Sequence, residues 1–254
     1  MIYSLLTNKQ GLIVWGGESS TDYGMVVSEP PAYDKPLRKQ TIYNVPGRNG
    51  AILIDEGAYE DTTRKYKVFV LAAEEEDSGG VITGTLAEKV SDLSTWLYSK
   101  HGYTRLEDNF EPDIYRLAYY SGGNEFLNRL VQAGSAELTF TCRAERFLKS
   151  GETATVYTNG DTITNPTKFT AKPLIHIEGS GTVTVQLGGN TITAVLGTSD
   201  YIDIDCDRMN AYKGATNKND KISGDFPVIK SGANTLATTG TITKLTIKPN
   251  YYVI

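Results

Sequence analysis

Short runs of alternating apolar and polar residues dominate the chain beyond about residue 150, and Gly, Asn or Ser turns separate them. A period of two places the apolar side chains on one face of a strand and Thr or other polar side chains on the opposite face. The runs are Leu174–Ile177, Val183–Leu187, Ile192–Leu196, Tyr201–Cys206 and Thr241–Ile247. Gly188-Gly189-Asn190 lies between two of these runs and is a hairpin signal. The pattern predicts an antiparallel β-sandwich.

The first part of the chain carries one strong helix signal. Thr85-Leu86-Ala87-Glu88 is a capping box, in which the first and last side chains cap free N–H groups. Apolar residues follow at helical spacing: Leu86, Val90, Leu93 and Leu97. Gly102 is expected to end this helix. A weaker helix or turn is predicted around Glu125–Leu130.

Other runs before residue 147 favour strands. They are Tyr66–Leu71, Ile114–Tyr120 and Glu137–Cys142. We therefore expect a mainly β protein with one principal helix, and a domain boundary near Arg146–Gly151. The prediction is an α+β domain at 1–146 and an all-β domain at 147–254, because 254 residues correspond to about one to two domains.

The charge is mildly acidic, −5 over the whole chain. Residues 1–146 contain 15 Lys+Arg and 21 Asp+Glu, net −6, and the remainder contains 10 and 9, net +1. This balance argues against nucleic-acid binding through bulk charge. No apolar run approaches the ~18 residues of a membrane helix. The first residues lack a basic region followed by a long apolar stretch, so we expect no secretory signal and no membrane association.

Catalytic motifs are not evident in the sequence. His101 follows the predicted helix, and His176 lies within a predicted strand with no partner evident, so a structural role is expected for both. Cys142 and Cys206 share strand faces with apolar residues and are expected to be buried and unreactive. We therefore expect no enzyme activity, no catalytic residue and no cofactor.

Three aspartates resemble the start of a calcium-binding loop: Asp203, Asp205 and Asp207. An EF-hand loop requires Gly at its sixth position and Glu at its twelfth, where this chain has Arg208 and Gly214. The aspartates are instead expected to line one exposed face of a strand, with no metal site.

One segment carries a family resemblance. Val45-Pro46-Gly47-Arg48-Asn49-Gly50 is followed by Ile52-Leu53-Ile54-Asp55 and then by Gly57-Ala58-Tyr59. It resembles the Pro-Gly-Arg-(Asp/Asn)-Gly signature of the distal tail proteins (Dit) of siphophage-type bacteriophages. Later features follow in that family's order: Asp113-Ile114-Tyr115-Arg116, Asn165-Pro166-Thr167, Gly224-Asp225-Phe226-Pro227 and Gly232-Ala233-Asn234. The resemblance covers nearly the whole chain.

The resemblance implies a structural protein of a phage or prophage tail tip, made in the cytoplasm of the bacterial host. Its N-terminal domain would combine a β-sandwich, a helix and an extended hairpin, and would form a hexameric ring that continues the tail tube. Its C-terminal domain would be a galectin-like β-sandwich. The implied partners are other copies of the chain, the tail tube protein, and a tail-tip hub, fibre or receptor-binding protein. DNA would pass through the ring only transiently.

Candidate interface residues lie in and after the signature: Pro46, Gly47, Arg48, Gly50, Asp55 and Tyr59. Pro46 and Gly47 are expected to form a tight turn, and the stretch Ile52–Val70 is a candidate for reaching a neighbouring copy. Arg48 would pair with a carboxylate across the boundary between copies. The alternative from spacing alone is an ordinary turn with Arg48 as a surface charge.

An alternative function is a carbohydrate-binding module in the C-terminal domain. Tyrosine rings stack on sugars, and the candidates there are Tyr157, Tyr201 and Tyr212. Both tryptophans precede this domain, and acid pairs with glycosidase spacing are not evident. An enzyme is therefore the least favoured class.

Overall fold

The computed structural model describes residues 11–71, 85–122, 127–130 and 133–254. The chain forms two compact units, Met1–Arg146 together with Ile254, and Phe147–Val253. Each unit has its own hydrophobic core among the described residues.

The first unit is built on one antiparallel sheet with a helix against it. Its elements are β1 (Ile13–Trp15), β2 (Glu18–Ser19), a 3₁₀ turn (Ser20–Tyr23), β3 (Met25–Val27), β4 (Arg38–Tyr43), β5 (Ile52–Tyr59), β6 (Thr62–Leu71), α1 (Leu86–Tyr98), β7 (Thr104–Asp108), β8 (Ile114–Tyr120), β9 (Leu127–Leu130) and β10 (Ala133–Leu148). The main sheet has the order β2-β1-β7-β8-β10-β6-β3, and β9 also pairs with β10. Strands β4 and β5 form a separate two-stranded sheet.

Helix α1 begins at the predicted capping box. The Glu88 N–H donates to Thr85 Oγ1 at 3.3 Å, and the Thr85 N–H donates to Glu88 Oε2 at 2.7 Å. The buried side of the helix contributes Leu93, Trp96 and Leu97 to the core. The helix ends at Tyr98 rather than near Gly102. At this end the Ser99 N–H donates to the Thr95 carbonyl, and the Ser99 hydroxyl donates to the Trp96 carbonyl.

The helix or turn predicted around Glu125–Leu130 is wrong for the residues of this segment that the structure describes. Leu127–Leu130 forms strand β9, which pairs with β10. The remainder of that prediction, Glu125 and Phe126, lies outside the described residues. Pairing with a neighbouring strand overrides the weak local preference in this segment.

The second unit is a sandwich of a large and a small antiparallel sheet. After a 3₁₀ turn (Lys149–Glu152), its elements are β11 (Thr155–Tyr157), β12 (Thr162–Asn165), β13 (Leu174–Leu187), β14 (Asn190–Asp205), β15 (Asn210–Lys213), β16 (Thr216–Asn217), a 3₁₀ turn (Asn219–Lys221), β17 (Ile222–Gly224), β18 (Gly232–Thr235), β19 (Ala237–Lys248) and β20 (Tyr252–Val253). The large sheet has the order β11-β19-β13-β14-β15-β16, with β17 on β14, and β12 pairs with β18.

The central hairpin of this unit joins four predicted runs into two long strands. Strand β13 spans the first two runs, and β14 takes in the next two as far as Asp205. The sequence pattern predicted a break between the two runs of β13. The structure has only a shift of register there, between Gly179 and Gly181, and the strand continues through it. Gly188 and Gly189 connect the strands with φ of 64° and 92°. Positive φ at both central residues is what a type I′ hairpin turn requires.

The apolar faces of both sheets pack around one core in this unit, which includes Ile163 of β12 and Ile175 of β13. Cys142 of the first unit and Cys206 of the second are buried and free, as predicted. Burial raises the pKa of each thiol to about 12, so both remain protonated at neutral pH. The predicted mainly β fold with one principal helix is confirmed in the described residues.

The aspartate prediction is only partly correct. Asp203 and Asp205 lie on β14, but Asp207 lies in the turn after that strand. The three side chains therefore do not form a single strand face.

Candidate assembly interface

Strands β4 and β5 form a hairpin that pairs with no other strand in the described structure. The register aligns Tyr43 with Ile52, Ile42 with Leu53 and Thr41 with Ile54. At about 3.3 Å per residue, the eight residues of β5 extend roughly 25 Å. A two-stranded hairpin is at best marginally stable by itself in water.

A tight turn begins the loop at the tip of the hairpin. The Arg48 N–H donates to the Val45 carbonyl at 3.2 Å, so Pro46 and Gly47 are the central residues. Gly47 has φ of 79°, and Pro followed by a left-handed Gly is the combination that a type II turn favours. The turn predicted from Pro46 and Gly47 is therefore present.

The base of the hairpin is fixed by Arg38. Its Nη1 donates to Asp55 Oδ2 at 2.6 Å and its Nη2 to the Tyr59 hydroxyl at 3.1 Å, while the guanidinium lies over the Tyr59 ring. The Tyr59 hydrogen bond and the charge of Asp55 raise the pKa of Arg38. Asp55 and Tyr59 thus act within the hairpin, and Arg38, which sequence reasoning missed, connects them.

Large apolar side chains are exposed on both faces of the hairpin. Cross-strand partners share a face, so Ile42 and Leu53 lie on one side, and Tyr43 and Ile52 lie on the other. Ile42 is 62% exposed and Leu53 is 55% exposed. Clustered exposed apolar side chains on a soluble protein mark an interaction site. A hairpin that is apolar on both sides requires cover on both sides.

The six predicted interface residues fall into two groups. Pro46, Gly47, Arg48 and Gly50 lie in the exposed tip loop, and Asp55 and Tyr59 lie along β5. No described residue pairs with the Arg48 side chain, which is exposed beside the turn. The structure therefore brings Asp55 and Tyr59 together through Arg38 but keeps them apart from the tip.

The predicted reaching segment, Ile52–Val70, is divided by the fold. Its first part is β5 of the free hairpin, whereas Thr62–Leu71 is β6 of the main sheet, with Tyr66 and Val68 buried. The extended element is instead Arg38–Tyr59. Strand β4 was missed because its polar residues, Arg38-Lys39-Gln40-Thr41, lack an alternating apolar pattern. The signal that could have found it is the pair of β-rich triplets flanking the turn, Thr41-Ile42-Tyr43 and Ile52-Leu53-Ile54.

A group of buried charges stabilises the first unit beneath its sheet. Asp108, whose side chain is fully buried, accepts from Arg64 Nη2 at 2.9 Å and from the Tyr66 hydroxyl at 2.7 Å. Glu111 forms ion pairs with Arg64, Arg116 and Arg146. These pairs connect β6, β7, β8 and β10.

The candidate sugar-binding tyrosines do not form one site. Tyr157 packs against the core of the second unit, whereas Tyr201 and Tyr212 lie near Asp203 on the outer face of the large sheet. The Tyr201 ring contacts both the Lys213 ammonium and the His176 ring. A sugar would have to compete with these contacts, so glycan binding stays a prediction.

His176 has partners that the sequence did not indicate. Its Nδ1 lies 2.7 Å from Asp203 Oδ1, across the strand pair β13–β14, and its Nε2 lies 3.4 Å from Glu178 Oε1. Lys244 also approaches Glu178 at 3.4 Å. These contacts connect three adjacent strands on the outer face.

Among the described residues, no group of three or more His, Cys, Asp or Glu side chains could hold a metal ion. Within the same part of the chain, no helix is both long enough and apolar enough to span a membrane.

A solved structure is similar to the chain along almost its whole length. This is the crystal structure of the SPP1 Dit (gp 19.1) protein, described as a paradigm of the hub adsorption apparatus in phages that infect Gram-positive bacteria. The TM-score is 0.70 at 13% sequence identity, covering 96% of this chain and 99% of the SPP1 protein. The chain therefore has a Dit-like fold. No family profile and no curated protein matches the sequence.

Proposed function

We propose that this chain is a structural distal tail protein of a phage or prophage tail. The first unit forms a hexameric ring that joins the tail tube to the tail-tip apparatus and lets DNA pass. The β4–β5 hairpin carries the proposal, because it extends apolar residues on both faces into solvent. The Dit-like fold supports the same role, since SPP1 Dit is a hub adsorption protein.

Self-association explains the composition of the hairpin. Burying a whole Leu or Ile side chain contributes about 1.5–3 kcal/mol, so covering several half-exposed side chains gives a substantial favourable term. A contact between the hairpin of one copy and a different surface of the next is heterologous, and heterologous contacts generate closed rings when the rotation closes. The tail tube protein and a tail-tip hub, fibre or receptor-binding protein would then bind opposite faces of the ring.

The test compares two matched substitutions of exposed apolar residues by Glu. Leu53→Glu places a charge on the hairpin, and Val195→Glu places one on β14 of the second unit, where Val195 is 52% exposed. Burying an unpaired charge costs several kcal/mol, so Leu53→Glu should weaken ring assembly at least 100-fold, about 2.7 kcal/mol. Val195→Glu should assemble like the parent chain.

Assembly is measured by light scattering and negative-stain microscopy, with the full chain alone and co-expressed with the adjacent tail proteins. Annular particles that Leu53→Glu abolishes and Val195→Glu preserves would support the proposal. Equal assembly of the two variants, or monomers under both conditions, would overturn it.

A further inference from the structure

The sequence contains two Asn-Gly pairs, Asn49-Gly50 and Asn159-Gly160. In such a pair the main-chain nitrogen of Gly can attack the side-chain amide carbon of Asn, forming a C–N bond as ammonia leaves. Water then opens the resulting five-membered imide at either carbonyl, giving Asp or isoaspartate. The net reaction consumes one water and releases one ammonia. Gly permits the attack because it has no Cβ to obstruct it.

Asn49 and Gly50 are free to adopt the reactive geometry. Both are exposed in the tip loop, and no described group hydrogen-bonds to the Asn49 side chain or to the Gly50 N–H. Gly50 has φ of 82°, and the space where a Cβ would lie is open to 4 Å. The attacking nitrogen and the target amide are therefore both unrestrained.

Asn159 and Gly160 are equally exposed but are held in place. The Gly160 N–H donates to the Leu236 carbonyl at 2.8 Å, and Asn159 Oδ1 accepts from the Thr238 N–H at 2.8 Å. Both hydrogen bonds must break before the Gly160 nitrogen can reach the Asn159 amide carbon. The second pair is therefore an internal control within the same chain.

We propose that Asn49 is a site of spontaneous deamidation in the unassembled protein, and that its isoaspartyl product weakens self-association. Isoaspartate routes the main chain through the side-chain carbon, which lengthens the loop by one atom and leaves a carboxylate beside Arg48. The reactive site follows from the local geometry alone. Its effect on assembly rests on the function proposed above.

The first experiment measures the modification directly. Freshly purified full chain is incubated at mildly alkaline pH, and peptides are mapped by mass spectrometry and by isoaspartyl methyltransferase labelling. Asn49 should convert roughly 30-fold faster than Asn159, a ratio equivalent to about 2 kcal/mol for two broken hydrogen bonds. Gln at position 49 forms the corresponding six-membered ring far more slowly, so Asn49→Gln should abolish the fast conversion. Equal rates at the two asparagines would overturn the assignment.

The second experiment measures the consequence. Aged parent chain and aged Asn49→Gln are compared with fresh samples for the fraction that assembles into rings. A loss confined to the aged parent chain supports the proposal, and equal assembly of both aged proteins overturns the effect on assembly. If fresh protein does not assemble, the proposed function fails, whereas the mass spectra still decide the modification site.

Discussion

Asp108 is the most completely buried carboxylate described in the first unit, and it depends on its neighbours. Burial opposes its ionisation, but the Tyr66 hydrogen bond and the Arg64 charge outweigh burial and lower the pKa of Asp108. Burial, followed by the charge of Asp108, raises the pKa of Tyr66 well above its usual value. The hydroxyl therefore stays protonated and donates to the carboxylate at neutral pH.

Asp108→Asn removes the closer of the two carboxylates that pair with buried Arg64, and leaves Glu111 at 3.3 Å. Breaking a buried ion pair by removing one partner costs about 3–5 kcal/mol. Both tryptophans, Trp15 and Trp96, lie in this unit, so denaturant unfolding followed by tryptophan fluorescence reports on it selectively. The matched variant is Asp55→Asn, which breaks an exposed pair with Arg38 and should cost only about 0–1 kcal/mol. Similar losses in the two variants would contradict this account.

The lowered pKa of Asp108 also determines how the stability of the first unit changes as the pH falls. Because the folded-state pKa lies below the unfolded value of about 3.9, the stabilisation is present above that value and is lost as the pH falls through the folded-state pKa. Tryptophan-detected stability of the parent chain should therefore decline in acid more steeply than that of Asp108→Asn. Parallel acid profiles for the two proteins would exclude Asp108 as the titrating group.

At the scale of elements, the β13–β14 hairpin depends on its two-residue turn. Gly188 and Gly189 both have positive φ, but their surroundings differ. A Cβ on Gly188 would lie 2.1 Å from the Val228 carbonyl oxygen, whereas one on Gly189 would meet only the flexible end of Lys230, at 3.3 Å. The first position is thus restricted by backbone packing as well as by conformation.

Alanine substitution should separate the cost of the left-handed conformation from the cost of contact with the Val228 carbonyl. Gly189→Ala should cost about 1–2 kcal/mol from the left-handed conformation alone. Gly188→Ala should cost about 2–4 kcal/mol, because overpacking against backbone is added to that strain. Calorimetric unfolding combined with far-ultraviolet circular dichroism measures both. A larger effect at Gly189 would show that conformation, rather than contact with Val228, controls the turn.

Local sequence patterns predicted the helices and strands better than they predicted contacts between residues that are distant in sequence. The capping box placed the start of α1, and alternation found the three long strands of the second unit, β13, β14 and β19, because both signals depend on adjacent residues. The Arg64–Asp108 pair spans 44 positions and has no local signature. At the interface, Pro46 and Gly47 indicated the turn, but Arg38 was missed because the polar start of β4 gives no alternating pattern.

At the scale of the whole molecule, the acidic balance of residues 1–146, 15 Lys+Arg against 21 Asp+Glu, suits the proposed passage for DNA. A conduit must not retain its cargo, and a net negative surface repels phosphate. The second unit is near neutral, so the asymmetry lies in the part proposed to surround the channel.

The full chain should therefore leave the mobility of duplex DNA unchanged in a gel-shift assay at physiological salt. Binding that depends on phosphate contacts weakens steeply as salt rises, so a titration at lower salt distinguishes weak attraction from none. Salt-sensitive retention of DNA by the chain would contradict a conduit role for the first unit.

The uncovered hairpin also has a consequence for how the protein must be produced. Exposed apolar side chains on both faces of the hairpin make a newly synthesised copy prone to nonspecific association until they are covered. In the proposed role, association with other copies of the chain competes with nonspecific association with unrelated hydrophobic surfaces. The local concentration of the chain determines which of the two is faster. On the proposed function, synthesis at high local concentration together with the adjacent tail proteins would favour assembly, whereas slow or solitary expression would favour precipitation.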